Sequence, residues 1–361
     1  MRLMRRVAVA FCHGDGARRA DPRRPRGRSG RAVSRPGRAL VPFRIPLRTR
    51  FRRVDAREGV LVQGPCGWGE FSPFPGYGPE VAATWLAAAR EAAFHPWPVG
   101  LRDSVPVNTT VPAVGPEQAH AMVTASGCAT AKVKVADPEG PEPGLTADLA
   151  RLEAVRDALG PAGRIRVDAN AAWDVDTAVR ALRALDRYEL EYAEQPVATL
   201  EEMAALRRRV DVPLAADESI RNLVGGSRPE GVAARRTAVR EAADIVVVKV
   251  QPLGGVWTAL ELVEVIGLPA VVSSAVETSI GLAAGLALAA ALPELPYACG
   301  LGTATLLRAD VVADPLLPVG GRLPVRRPVP DRAALARAAP SEGEARQLLD
   351  RLEAANRVAG A

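Results

Sequence analysis

The chain has 361 residues, 48% of them hydrophobic, which is enough for a large barrel domain plus a smaller partner. Its net charge of +6 misleads, because residues 1–50 hold fifteen Arg and two Asp, a local +13, and the rest of the chain sums to −7. A nucleic-acid footprint would need a basic face on the folded body, the weakly polar run 280–292 is too short to span a bilayer, and the scattered cysteines form no CxxC pair of the kind a zinc site or disulfide frame uses.

Residues 1–38 are rich in Arg, Gly and Pro and lack apolar periodicity. They read as a disordered Arg-rich extension, native or from a misplaced start. Their apolar stretch 7–12 is too short for a secretory core, so the expected location is cytoplasmic, with neither membrane nor nucleic acid as partner. Residues 39–100 read as a small α+β capping domain, with a strand at 59–63, a loop dense in Gly, Pro and Phe at 67–78, and a helix at 79–93. From 101 to 312, short β-branched runs alternate with helical stretches. Strands are predicted at 105–111, 130–135, 164–168, 190–194, 212–217, 243–249, 270–274 and 297–300. Helices are predicted at 145–159, 175–185, 200–209, 232–241, 256–266 and 280–292. Eight strands joined by helices point to a closed (β/α) barrel, and no GxGxxG marks the rival open sheet. The segment 313–361 is Pro-rich, then helical at 341–358, and is expected to pack back on the capping domain.

Of 47 basic residues only Lys132, Lys134 and Lys249 are lysines. Arg keeps its proton near neutrality, whereas a suitably placed Lys can lose one. Lys132 and Lys134 sit two apart on one strand and therefore share a face. Five successive strands end in Lys132 and Lys134, then Asp168, then Glu194, then Asp217, then Lys249, at intervals of 23 to 34 residues. In a barrel these ends converge on one mouth. Unpaired charges there would be costly, and three carboxylates without nearby His or Cys favour Mg²⁺, with Mn²⁺ as a substitute. Taken singly, Asp168 or Asp217 could be a helix N-cap and Glu194 a turn residue.

The motifs KxK, VDAN, EQP, ADES and VKVQPLGG, in this order, resemble the enolase superfamily in its muconate-lactonizing subgroup. Within it the text is similar to the actinobacterial-type o-succinylbenzoate synthases, across about 41–312, including 48–51, 69–74 and 271–279. The resemblance implies a modified (β/α)₇β TIM-type barrel with an α+β capping domain. It implies that Asp168, Glu194 and Asp217 bind Mg²⁺, that Lys134 is the base, and that Lys249 faces it as a cationic stabiliser. Lys132, a like charge beside Lys134, would lower the proton affinity of Lys134. Asn170, Ser273, Ser274 and Gly300 would contact a small dicarboxylate substrate, with helix N-capping the alternative role for the two serines. His13, His95 and His120 lie outside the strand ends, which disfavours branches with a barrel His base. Residues 299–303 lack the DxD that dipeptide epimerases carry for a substrate ammonium.

The implied reaction is Mg²⁺-dependent syn dehydration of 2-succinyl-6-hydroxy-2,4-cyclohexadiene-1-carboxylate to o-succinylbenzoate, in menaquinone biosynthesis. Racemisation of N-succinylamino acids by the same residues is the alternative. A Schiff-base aldolase using Lys249 and an idle binding protein are more distant ones. The oligomeric state stays open between monomer and small homo-oligomer.

Overall fold

The computed structural model describes residues 39–51, 54–138, 144–221 and 229–360; the extension 1–38 lies outside them. The first unit is a three-stranded antiparallel sheet of β1 (Leu40–Phe51), β2 (Val54–Gly64) and β3 (Gly67–Phe71), covered by helix α1 (Pro79–Phe94). Proline at the start of α1 supplies a preset φ where no N–H partner is needed. The Ala-rich face of α1, with Ala82, Leu86, Ala89 and Ala93, packs with Val60, Val62 and Phe71 of the sheet. Close approach requires Gly69, since a Cβ there would meet the Ala89 carbonyl oxygen at 1.9 Å.

The chain then runs through β4 (Ser104–Pro106), β5 (Thr109–Val111), α2 (Pro116–Ser126), β6 (Thr130–Lys134), α3 (Leu145–Leu159) and β7 (Arg164–Asp168). It continues with α4 (Val175–Leu185), β8 (Leu190–Glu194), α5 (Leu200–Arg207), β9 (Leu214–Ala216), the short α6 (Glu218–Arg221) and α7 (Pro229–Ala242). After β10 (Ile245–Lys249) come the short α8 (Val250–Leu253), α9 (Val256–Ile266), β11 (Ala270–Ser273) and α10 (Ser279–Ala291). Seven strands, β5 to β11, form one parallel sheet in sequence order. Their β-branched runs, such as Ile245–Lys249, are buried along their whole length, as expected of a parallel sheet covered on both faces.

Two predicted strands need correction. The strand expected at 105–111 is two strands in different sheets: β4 pairs antiparallel with β12 (Arg322–Pro324), while β5 opens the barrel. Pro106 has no N–H to continue a ladder. The chain turns at Val107 and Asn108, whose N–H groups donate to the Gly321 and Cys299 carbonyls at 2.9 Å each. The strand expected at 297–300 is reduced to isolated bridges, Val107 with Cys299 and Ser273 with Gly300. Cys299 N–H donates to the Pro106 carbonyl at 2.7 Å and Gly300 N–H to the Val272 carbonyl at 2.8 Å. This segment thus joins the β11 edge to the β5 edge and closes the ring as its eighth member. Helix α2 was not foreseen, because only Ala119 and Val123 bury an apolar stripe.

Helix α10 is buried at all thirteen positions, the signature of a helix packed on every side. The chain ends in α11 (Arg332–Arg337) and α12 (Glu342–Ala359). A capping box of Ser341 and Glu344 starts α12. Its Leu348 and Ala355 join the cluster with Val60 and Trp85. Its Arg351 donates to the Pro73 carbonyl at 2.8 Å and the Tyr77 carbonyl at 3.1 Å. No helix among the described residues is long and apolar enough to cross a membrane.

Candidate active site

Alternation along β6 sends Val133 into the core outside the barrel and Lys132 and Lys134 inward, where both reach Asp168. The register places Lys134 opposite Asp168, Asp168 opposite Glu194 and Glu194 opposite Ala215. Asp217 follows β9 by one residue, Lys249 ends β10, and Lys249 pairs with Ser273, which bridges to Gly300. Strands β6 and β10 stand four places apart in a ring of eight. Lys134 and Lys249 therefore rise from opposite walls, with the acid-bearing strands between them.

All six charged residues are at most 7% exposed. Lys132 Nζ donates to Asp168 Oδ2 at 2.9 Å and to Glu194 Oε1 and Oε2 at 2.8 and 2.9 Å. Lys134 Nζ donates to Asp168 Oδ2 at 2.6 Å and also to Asn170 Oδ1. Lys249 donates to Asp217, whose Oδ1 and Oδ2 also accept from Arg221 Nη2 at 3.0 and 2.9 Å. Lys132 was expected to act as a like charge beside Lys134. Its ammonium lies between two carboxylates. Burial pulls its proton affinity down, but Asp168 and Glu194 outweigh that and push it up. Burial, and then the charge of Asp168, raise the Glu194 carboxyl to about 7.

The donor set is all oxygen, from three carboxylates, with the charges of Asp168 and Asp217 opposing ionisation of Glu194, so it suits a hard divalent cation in chemistry. Among the described residues no three His, Cys, Asp or Glu side chains are grouped to hold a metal ion as they stand; Lys132 occupies Asp168 and Glu194, and Lys249 and Arg221 occupy Asp217.

Lys134 borders two spaces. One, of about 650 Å³, lies under the 74–77 loop and is lined by Phe74, Tyr77, Asn170 and Glu218, a volume suited to a small ligand. The other is a narrow cleft bordered by Phe51, Lys249, Ser273, Val276 and Gly300. Asn170 adopts a left-handed φ of +47° and bonds Lys134 and Glu218. The N-cap of α10 is Thr278, not Ser273 or Ser274. The Ser274 hydroxyl instead meets Thr303 Oγ1 at 2.7 Å and the Gly300 carbonyl at 3.0 Å. Ser273 packs on Gly300 so tightly that a Cβ there would meet its Oγ at 2.4 Å. N-capping is also ruled out for Asp168, since Asp174 caps the helix that follows. His95 ends α1, and His120 pairs with Asp157 on the outside.

Residues 116–332 match the enolase C-terminal domain-like family, and residues 42–93 match the enolase N-terminal domain-like family. The chain is 66% identical over 285 residues to an o-succinylbenzoate synthase of Thermobifida fusca, covering 79% of this chain and 86% of that one. The chain belongs to the o-succinylbenzoate synthase family of the enolase superfamily. A second synthase, from Mycolicibacterium smegmatis, is 50% identical over 311 residues, 85% of this chain and 92% of that one.

The fold is shared with more distant members of the superfamily. The L-Ala-D/L-Glu epimerase of Bacillus subtilis superposes with a TM-score of 0.65 at 22% identity, over 81% of this chain and 96% of that one. The N-succinyl Arg/Lys racemase of Bacillus cereus gives 0.65 at 21%, over 83% and 96%. Enzymes of the superfamily generally use a divalent metal. Sequence reasoning on this o-succinylbenzoate synthase family member overlooked Arg221, which braces Asp217. It also overlooked the buried trio Arg57, Glu70 and Glu277 behind the cleft. The only signal for Arg221 was its place four residues after Asp217 on a short helix.

Proposed function

We propose that this chain catalyses the syn dehydration of 2-succinyl-6-hydroxy-2,4-cyclohexadiene-1-carboxylate to o-succinylbenzoate, as a cytoplasmic Mg²⁺-dependent hydro-lyase of menaquinone biosynthesis. The observation that carries the reading is the pair Lys134 and Lys249 on opposite barrel walls, with Asp168, Glu194 and Asp217 on the strands between them. Asp168, Glu194 and Asp217 would hold Mg²⁺, with Mn²⁺ as a substitute. When bound, the ion supplies positive charge against the negative charge that develops on the substrate carboxylate.

Lys134 Nζ takes the proton from C1, beside the carboxylate. The C–H electron pair first moves onto the carboxylate as an enediolate, then returns to form the C1–C6 double bond as hydroxide leaves C6, and Lys134 gives its proton to that hydroxide, releasing water and an aromatic ring. A single base on one face makes the elimination syn. Lys249 stays protonated against Asp217 and stabilises the anionic stage from the other face. Asn170 orients Lys134, and Lys132 holds Asp168 and Glu194 in place. Ser273, Ser274 and Gly300 would form the wall against the succinyl carboxylate. The working division of the chain is a capping domain at 39–100, the barrel at 101–312 and a C-terminal segment at 313–361.

Racemisation of N-succinylamino acids is the second reading, favoured by the similar setting of the two lysines, each bonded to a barrel carboxylate. A direct comparison of rates on the cyclohexadiene and on N-succinylamino acids decides between them. Dehydration should be the faster, lost in EDTA and restored by Mg²⁺. Faster racemisation would reverse the assignment, and EDTA-insensitive turnover would remove the metal from it.

A further inference from the structure

Val276 is buried and β-branched, yet its φ is +62°, a left-handed conformation that strains a β-branched residue. It lies between β11 and the N-cap of α10, in the wall of the cleft that Lys134 and Lys249 border. Residues from the distant first sheet grip this turn. Arg57 on β2 donates from Nε to the Val276 carbonyl at 3.1 Å. Glu70 on β3 accepts from Thr278 N–H at 3.1 Å and from Gly281 N–H at 3.0 Å. Inside the turn, the Glu277 carboxylate accepts from Ala275 N–H at 2.8 Å.

Arg57 is itself immobilised. It is 1% exposed, donates to the Ser72 carbonyl at 2.5 Å, and lies over the Phe74 ring at 4.3 Å. None of the proposed chemical steps uses it.

We propose that Arg57 is a positioning residue: its hold on the Val276 carbonyl keeps the β11–α10 turn left-handed and so fixes where Ser273, Ser274 and Ala275 stand in the cleft. The inference rests on that cleft being the active site. Relaxation of Val276 to a negative φ would rotate the adjoining peptides and shift the wall they carry. Misplacement on the ångström scale is enough to cost catalysis heavily. The first sheet thereby acts on the reaction through barrel backbone, without Arg57 touching substrate.

The test is a cycle of Arg57→Met, Val276→Gly and the double variant, read by kcat, KM and amide hydrogen exchange at 274–279. Arg57→Met should lower kcat/KM at least about tenfold and speed exchange in that turn. In the Val276→Gly background, where glycine takes positive φ without strain, the same change should cost no more than about threefold. Equal losses in both backgrounds, or no loss in either, would overturn the proposal. If Arg57→Met does not fold, Arg57→Lys enters the same cycle, since it keeps the buried charge and lacks the Nε–H donor. Wild-type enzyme inactive on the cyclohexadiene would instead sink the assigned reaction, and the exchange data alone would then decide the role of Arg57.

Discussion

Lys132 and Lys134 are two positions apart on one strand and share Asp168, but their remaining partners differ. Lys132 is held by Glu194 and borders only the narrow cleft, while Lys134 turns to Asn170 and borders both cavities. A proton carrier must reach substrate, so Lys134 suits that role and Lys132 suits bracing the acids. Lys134→Arg keeps a cation but gives up the proton exchange. It should lower kcat by at least about a hundredfold, within the usual range for a positioned acid or base, with the circular dichroism spectrum unchanged. Turnover above about one hundredth of wild type would contradict the role of base. The candidate acids and bases were legible in the sequence because each closes a short apolar run, and period-two alternation decides their face. Which ammonium meets which carboxylate was not legible, since that depends on separations of a few tenths of an ångström among strands 36 and 62 residues apart.

At the scale of elements, the first sheet and the barrel meet through buried polar groups. Glu70 reaches from β3 to the start of α10, accepting from Thr278 and Gly281. A carboxylate suits a helix N-terminus, but burial dominates and raises this carboxyl from an ordinary 4.5 to about 7. Because the folded-state value is the higher one, the folded protein holds this proton more tightly. The resulting stability is fully present below about pH 4.5 and is lost as pH rises through about 7. Glu70→Gln removes this titration while keeping an acceptor. The melting temperature of wild type should fall more steeply than that of Glu70→Gln between about pH 5 and 7.5 at fixed Mg²⁺. Parallel curves would show that Glu70 is not the titrating group. Nothing in the sequence marked this contact, because Glu70 and Thr278 are 208 residues apart and both are ordinary surface residue types. The helices 145–159, 175–185 and 256–266 were legible to the residue, the first and last lying between glycines at both ends and the middle one following the N-cap Asp174. The strand at 105–111 was not, since Pro106 and Asn108 interrupt a run that is otherwise β-branched.

For the whole molecule, the proposed catalytic groups fall between residues 132 and 300, and the family matches span 42–93 and 116–332. Removing residues 1–38, which neither match includes, should therefore leave kcat/KM within about twofold of wild type, the range expected of independent changes. A loss well beyond that, measured with saturating Mg²⁺, would give the Arg-rich segment a part in catalysis.

By itself the sequence determined the alternation of strand and helix, the inward face of each strand, and the order of acids and bases around the mouth. These follow from local periodicity and from the direction of the chain, which every residue carries with it. Only the tertiary structure decided how the ring closes, through the bridges at Cys299 and Gly300 in place of a strand. It alone set the ion pairs and the clasp of Arg57 and Glu70 on the β11–α10 turn. Those outcomes depend on which distant groups come within hydrogen-bond reach once water is excluded, and no local pattern encodes that distance.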